Sequence, residues 1–287
     1  MKLNEINIRD PFIVPENGKY YMYGTRGRGC WEGIKTPDMG FDVYISDDLE
    51  SWSEPKEVFS ASDSFWGTHN FWAPEVHKYN GKFYMFASFK SADRNRGTQI
   101  LVSDTPDGRF EPVSEFPVTP EEWMSLDGTL YTDKNGNPHI VFCHEWSQIK
   151  DGEICEMQLS NDLTKAVSAP RTLLKASDPW WARKEHDSWV TDGPFLYRGE
   201  SGRLYIIWSS FTDNGYVQAV SYSDNGDIDG NWCNDLPLIS EKNGGHGMIF
   251  RSFEDKLYLV LHRPNDNPLE RPALTEIKEI DGKLVTV

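Results

Sequence analysis

Asn7-Ile8-Arg9-Asp10-Pro11-Phe12-Ile13-Val14 sets a charged pair ahead of a short apolar run, with a proline in between. Proline is tolerated at the start of a strand, where no ladder donor is lost. Asp10 therefore stands at the mouth of a buried strand. By itself the stretch reads first as a turn capped by an aspartate. Its recurrence along the chain changes that reading.

Four further stretches have the same character: Trp72-Ala73-Pro74-Glu75-Val76-His77, Leu126-Asp127-Gly128-Thr129-Leu130-Tyr131, Thr191-Asp192-Gly193-Pro194-Phe195-Leu196-Tyr197 and Gly245-His246-Gly247-Met248-Ile249-Phe250. Each is followed by an apolar-aromatic run: 19–25, 82–88, 138–144, 204–209 and 256–262. Four of these runs are introduced by a tight-turn pair (Asn17-Gly18, Asn80-Gly81, Asn135-Gly136, Ser201-Gly202), a hairpin signal. Third strands read at 42–46, 98–102, 154–159 and 216–221. Asp48–Trp52 and Gly230–Trp232 read as turns into outer strands. No long amphipathic helix is evident, and Pro264–Arg271 reads as an irregular loop from its Pro and Asn content. Five four-stranded units in 287 residues predict an all-β chain, a five-bladed β-propeller occupying 1–287 as one domain. Its closure is expected from pairing of one terminus into the other's blade.

Composition narrows the partners. Asp and Glu number 45 against 29 Lys and Arg, a formal charge of −16, which repels nucleic acid and anionic membranes but not neutral sugars. Aromatics reach 13%, as in folds that stack rings on sugars or, equally, fill a β-rich core. The cysteines Cys30, Cys143, Cys155 and Cys233 fit no zinc or redox spacing, and the N-terminus lacks an apolar leader core. These features predict a cytoplasmic protein with free thiols.

In a propeller the inner strands converge on the axis. The starts of the inner strands (Asp10, Glu75, Asp127, Asp192, His246) and the ends of the second strands (Arg26, Lys90, Glu145, Phe211, Arg263) are expected at one face of the funnel. Several acids in one cleft raise one another's pKa, which suits a general acid beside a general base. The alternative is that they cap strands. No nucleophile elbow or zinc helix is present, and Gly24–Gly29 lacks the spacing of a phosphate loop.

At these residues the chain resembles glycoside hydrolase family 43. The marks are Arg-Asp-Pro-Phe at 9–12, Trp-Ala-Pro-Glu at 72–75, Leu-Asp-Gly-Thr at 126–129, Gly-Pro at 193–194 and Gly-His-Gly at 245–247. The resemblance implies inverting hydrolysis of terminal α-L-arabinofuranosides, or alternatively β-D-xylosides, in small oligosaccharides. Asp10 matches the base that activates water and Asp127 the carboxylate that tunes the acid. His246 matches an axial histidine near a cation, often calcium, held through water. Arg263 lies near a substrate-contacting arginine. The family's acid is a glutamate before Gly-Pro; here Asp192 stands there, with Glu145 as the alternative and Glu185 and Glu75 behind it. Phe71, Trp72, Trp146 and Trp31 are expected as sugar platform and rim, with Glu75 among the substrate contacts. A non-catalytic sugar-binding propeller is the rival reading.

Overall fold

A computed structural model of the chain describes residues 1–27 and 39–287. Its strands form five antiparallel sheets, each of four consecutive strands, the blades of a five-bladed propeller. Blade one holds β1 (Ile8–Glu16), β2 (Lys19–Arg26), β3 (Gly40–Ser46) and β4 (Lys56–Ser60). Blade two holds β5 (His69–Tyr79), β6 (Lys82–Lys90), β7 (Gly97–Ser103) and β8 (Glu111–Pro112). Blade three holds β9 (Ser125–Thr132), β10 (Pro138–His144), β11 (Glu153–Gln158) and β12 (Arg171–Lys175). Blade four holds β13 (Asp192–Arg198), β14 (Leu204–Thr212), β15 (Gly215–Ser223) and β16 (Trp232–Cys233). Blade five holds β17 (Gly245–Arg251), β18 (Leu257–Arg263), β19 (Arg271–Ile280) and β20 (Lys283–Thr286). The single-turn helix α1 (Trp146–Ile149) and a 3₁₀ turn at Leu3–Glu5 are the only helices among the described residues.

The hairpins follow their turn chemistry. Asn17-Gly18 and Asn80-Gly81 both have positive φ at the two central residues, the geometry whose twist matches the flanking strands. Asp281-Gly282 does the same between β19 and β20, a strand pair the sequence pattern did not single out.

The second strands are apolar along most of their length because both their faces are covered. On β14, Leu204, Ile206 and Trp208 join an apolar cluster shared with blade three. Tyr205 and Ile207, alternating with them, join one shared with blade five. The period-two alternation of a strand thus divides its side chains between two neighbours. Similar apolar layers separate the other blades.

Closure differs from the expectation. Neither terminus enters the other's blade: blade one is β1–β4 and blade five is β17–β20. Side chains join the ends instead. Asn7 Nδ2 donates to the carbonyls of Pro268 (2.9 Å) and Glu270 (3.0 Å). Arg9 Nη1 donates to Glu270 Oε1 at 2.6 Å, and Arg271 Nε donates to Asn4 O at 3.0 Å. The chain spends its last two strands completing its own fifth blade, so these polar contacts join the apolar layer of Tyr20, Met248, Phe250 and Val260 in closing the seam.

Cys143, Cys155 and Cys233 are free thiols, and Cys30 lies outside the described residues. No helix among the described residues is long and apolar enough to cross a membrane.

Glu270 is fully buried, and removing it takes the 2.6 Å carboxylate partner from the buried Arg9 guanidinium. Glu270→Ala should cost about 3–5 kcal/mol in urea unfolding. A loss below about 1 kcal/mol would show that the seam is held by packing alone.

Candidate active site

All five inner strands carry the same irregularity near their start. Two inner-strand residues lie opposite one on the second strand, at Asp10-Pro11, Ala73-Pro74, Asp127-Gly128, Gly193-Pro194 and His246-Gly247. The first residue of each pair is left-handed: φ is +52° at Asp10, +48° at Ala73, +56° at Asp127, +52° at Gly193 and +50° at His246. Bulges of this kind re-aim a side chain and leave one residue out of the ladder.

The N–H of each bulged residue needs another partner, and in four blades the preceding blade's second strand supplies it. Ala73 N–H donates to Thr25 Oγ1 (2.7 Å), Asp127 N–H to Ser88 Oγ (2.9 Å), His246 N–H to Ser209 Oγ (2.7 Å) and Asp10 N–H to His262 Nδ1 (3.2 Å). In blade three the same second-strand position is Cys143, a poor acceptor. Gly193 N–H donates instead to Asp127 Oδ2 at 3.0 Å.

This corrects the sequence-based equivalence. The residues in register are Asp10, Ala73, Asp127, Gly193 and His246. Asp192 lies one residue early and Glu75 two residues late. On the second strands the equivalent residues are Thr25, Ser88, Cys143, Ser209 and His262. Arg26, Lys90, Glu145, Phe211 and Arg263 lie one or two residues further along. The bulge inserts a residue that a pattern of alternation does not reveal.

A cavity of about 60 Å³ opens at this ring, lined by Arg9, Asp10, Trp72, Leu126, Asp127, Asp192, Tyr216 and His246. Asp10 Oδ2 accepts from Thr25 Oγ1 at 2.6 Å, and its Oδ1 lies 3.2 Å from His246 Nδ1. Burial opposes its charge, but His246 and the Arg9 guanidinium hold the Asp10 carboxyl well below the usual carboxylate range. Asp192 Oδ2 accepts from Tyr216 OH at 3.0 Å. Burial, then the charge of Asp127, pushes Asp192 up to about 7. Burial and the neighbouring Asp10 and Glu75 also push Asp127 upward. Burial thus favours the protonated forms of Asp127 and Asp192, while Asp10 stays ionised.

The family model described as glycosyl hydrolases family 43 matches residues 4–280. The chain belongs to this family. Family-43 relatives include an extracellular endo-α-(1→5)-L-arabinanase of Bacillus subtilis, 29% identical over 51% of this chain and 46% of that protein. A xylosidase/arabinosidase of Bacteroides ovatus is 30% identical over 48% of this chain and 43% of that protein. The chain spans about half the length of the curated relatives it matches. Among solved structures, an endo-arabinase from Bacteroides thetaiotaomicron is 37% identical with a TM-score of 0.90, covering 99% of this chain and 98% of that one. A thermostable family-43 glycoside hydrolase is 25% identical with a TM-score of 0.81, covering 98% and 92%.

Within this family-43 propeller, the cavity brings together Asp10, Trp72, Asp127, Asp192 and His246 of the residues expected from sequence. Others fall elsewhere. Phe71 is buried among Phe41, Phe59, Phe65 and Phe89 and is part of the core. Glu145 follows the end of β10 and is ion-paired with Arg96, both buried. Trp146 begins α1, outside the cavity lining. Arg263 donates from Nη2 to Ser240 Oγ at 2.8 Å, and the arginine of the cavity is Arg9. Glu185 is in the blade-three to blade-four connection, bridged to Ser188. Trp31 lies outside the described residues.

Glu75 is buried beside His77, with Oε2 3.1 Å from Nε2. Burial pushes Glu75 up to about 8 and His77 down to about 3, so both are neutral. Tyr216, Arg9 and Leu126 were missed as lining residues. Arg9 carried a signal, being adjacent to Asp10 in the opening motif; Tyr216, at the start of a third strand, carried none.

Calcium takes six to eight oxygen ligands. His246 Nε2 is a buried nitrogen without a hydrogen-bond partner among the described residues. No group of three or more His, Cys, Asp or Glu among those residues converges as a metal cage. The described residues build no calcium cage of their own, so water would supply most ligands of a cation held near His246.

Two outcomes follow from this geometry. Ser88→Ala strands the buried N–H of Asp127 and should cost about 1–3 kcal/mol; unchanged unfolding in urea would show that the latch adds nothing. Glu75 and Asp192 keep their protons when folded, above the pH at which the unfolded chain loses them. The stability that Glu75 contributes should therefore fall as pH rises from about 4.5 to about 8 and level off beyond. Glu75→Gln should lose its share of that fall, so its stability relative to the parent should increase across the window. A constant difference would mean that Glu75 is ionised at neutral pH.

Proposed function

We propose that the chain is a glycosidase that hydrolyses α-L-arabinofuranosyl linkages of arabinan-type oligosaccharides with inversion at the anomeric carbon. One observation carries this reading. In a family-43 chain, an ionised buried carboxylate (Asp10) and a protonated one (Asp192) line the same cavity from non-adjacent blades.

Inversion needs a base to deprotonate water on one side of the sugar and an acid to protonate the leaving oxygen on the other. Asp10 takes the base role, its Oδ2 fixed by Thr25. Asp192 takes the acid role: the Tyr216 hydroxyl holds Oδ2, and a pKa of about 7 lies near the optimum for general acid catalysis at neutral pH. Burial keeps the proton on Asp192, and Asp127, held by Gly193 N–H, adds to this because two charges so near each other are disfavoured. Trp72 supplies the apolar ring face that packs on a sugar.

The non-catalytic rival predicts like residues in every blade. The equivalent residues are instead Asp, Ala, Asp, Gly and His, as suits one asymmetric site. Removal of terminal units is the preference drawn from sequence. The likeness to proteins named endo-arabinase and endo-arabinanase favours internal cleavage as the second reading. Product length on linear arabinan separates the two. Action on xylosides and a role for calcium have no support from a specific side chain.

Proton NMR of fresh product should show the inverted anomer; retention would overturn the mechanism. Asp10→Asn should lower turnover by about 10²–10⁴-fold with the fold intact, and the rate should fall above about pH 7 as Asp192 loses its proton. Turnover within twofold of the parent in Asp10→Asn would remove Asp10 from the base role.

A further inference from the structure

Between blades two and three lies a second, larger cavity, about 290 Å³. Its walls are the β6–β7 loop, with Arg94, Asn95 and Arg96, and the β8–β9 connection, with Phe116, Pro117 and Glu121. Both segments lie at the face where the inner strands begin and the second strands end, the face that carries the catalytic cavity.

A stacked pair of side chains links the two cavities. Arg96 lines the larger one, and its guanidinium stacks 4.3 Å from the centre of the Trp72 ring, which lines the smaller. Arg96 is fixed there by Glu145 and by Asn70 Oδ1 at 3.0 Å. A chain leaving the catalytic cavity over Trp72 meets the second cavity next.

The chemistry of its walls suits a neutral polyol. Phe116 is 38% exposed, and Arg94 is fixed over its ring at 3.9 Å while pairing with Glu121 at 3.0 Å. The pair offers hydrogen-bond donors and acceptors to hydroxyl groups with no net charge. An anion would meet Glu121. Phe116 and Pro117 supply the apolar surface on which a sugar ring packs. Nothing in the catalytic arrangement uses these residues.

We propose that this cavity is a distal glycan subsite, which takes a further furanose unit of the same chain that the catalytic cavity cleaves. The inference rests on the arabinan-cleaving reading above.

Kinetics on arabino-oligosaccharides of increasing length, alongside nitrophenyl arabinofuranoside, test it with Phe116→Ala and Arg94→Ala. Both variants should lower kcat/KM for the longer substrates about 10-fold and leave the nitrophenyl substrate within about twofold of the parent, which also reports folding. Binding of the longest oligosaccharide to the Asp10→Asn protein should weaken by the same factor when Phe116→Ala is added. An equal fall on every substrate, or no fall on any, would overturn the subsite alone. A parent inactive on all arabinosides would overturn the function itself and the subsite with it.

Discussion

The constraint on which the propeller depends is a buried backbone N–H in each blade. The two-for-one bulge takes that N–H out of the ladder at the most crowded point of the molecule, where five strands converge. A buried amide without a partner costs about 1–3 kcal/mol. Four blades solve the problem identically, with an acceptor on the second strand of the blade before. The solution ties neighbours together in sequence and so fixes the angle between blades as well as the conformation within each. Thr25 shows the economy of the arrangement: it accepts from Ala73 N–H and donates to Asp10 Oδ2. A latch between blades one and two also orients the proposed base.

The left-handed backbone narrows which residues stand at the axis. Non-glycine residues with positive φ are uncommon, and Asp, Asn and His are several-fold enriched among them. Four of the five axial positions are Asp10, Asp127, Gly193 and His246, types that tolerate this conformation; Ala73 bears its cost. The fold's demand for a left-handed residue and the site's demand for carboxylates and an imidazole thus favour the same side chains. Closing the ring at the seam draws on the same neighbourhood, because Arg9 both lines the cavity and pairs with Glu270.

Much of this was legible in the sequence because its physics is local. Apolar runs of seven or so residues, three of them behind Asn-Gly and one behind Ser-Gly, specify hairpins, and five such runs specify blades. Asp10, Asp127 and His246 were found because each begins an inner strand. What failed depends on contacts between distant residues. The bulge shifts register by one residue, so Glu75 and Asp192 looked equivalent to Asp10 when Ala73 and Gly193 are. Phe71 looked like a sugar platform because it precedes Trp72, but strand alternation turns it into the phenylalanine core while Trp72 faces the cavity. Glu145 looked like a free acid; Arg96, 49 residues earlier, neutralises it. The polar part of the closure, at Asn7, Arg9 and Glu270, joins residues some 260 positions apart and leaves no local pattern.

The break in the ring bears most directly on chemistry. At the latch position of blade three stands Cys143, whose thiol is a weak acceptor and which burial beside Asp127 and Asp192 keeps protonated. Gly193 N–H therefore turns to Asp127 Oδ2, and one bond does two things. It satisfies the fourth bulge, and it holds the Asp127 carboxyl against blade four, where Asp192 is the adjacent residue. A hydroxyl at position 143, as in blades one, two and four, would compete for that N–H and loosen Asp127. Asp192 also gains its place from the irregularity. Because Gly193 is the bulged residue, Asp192 remains in the ladder opposite Ser209, and its carboxyl meets Tyr216 on the third strand of its own blade. The proposed acid is thus positioned within blade four, in a cavity that Asp127 and Asp10 line from blades three and one. The exceptional latch ties blade three to blade four at the point where both contribute a carboxyl to the cavity that Asp10 also lines.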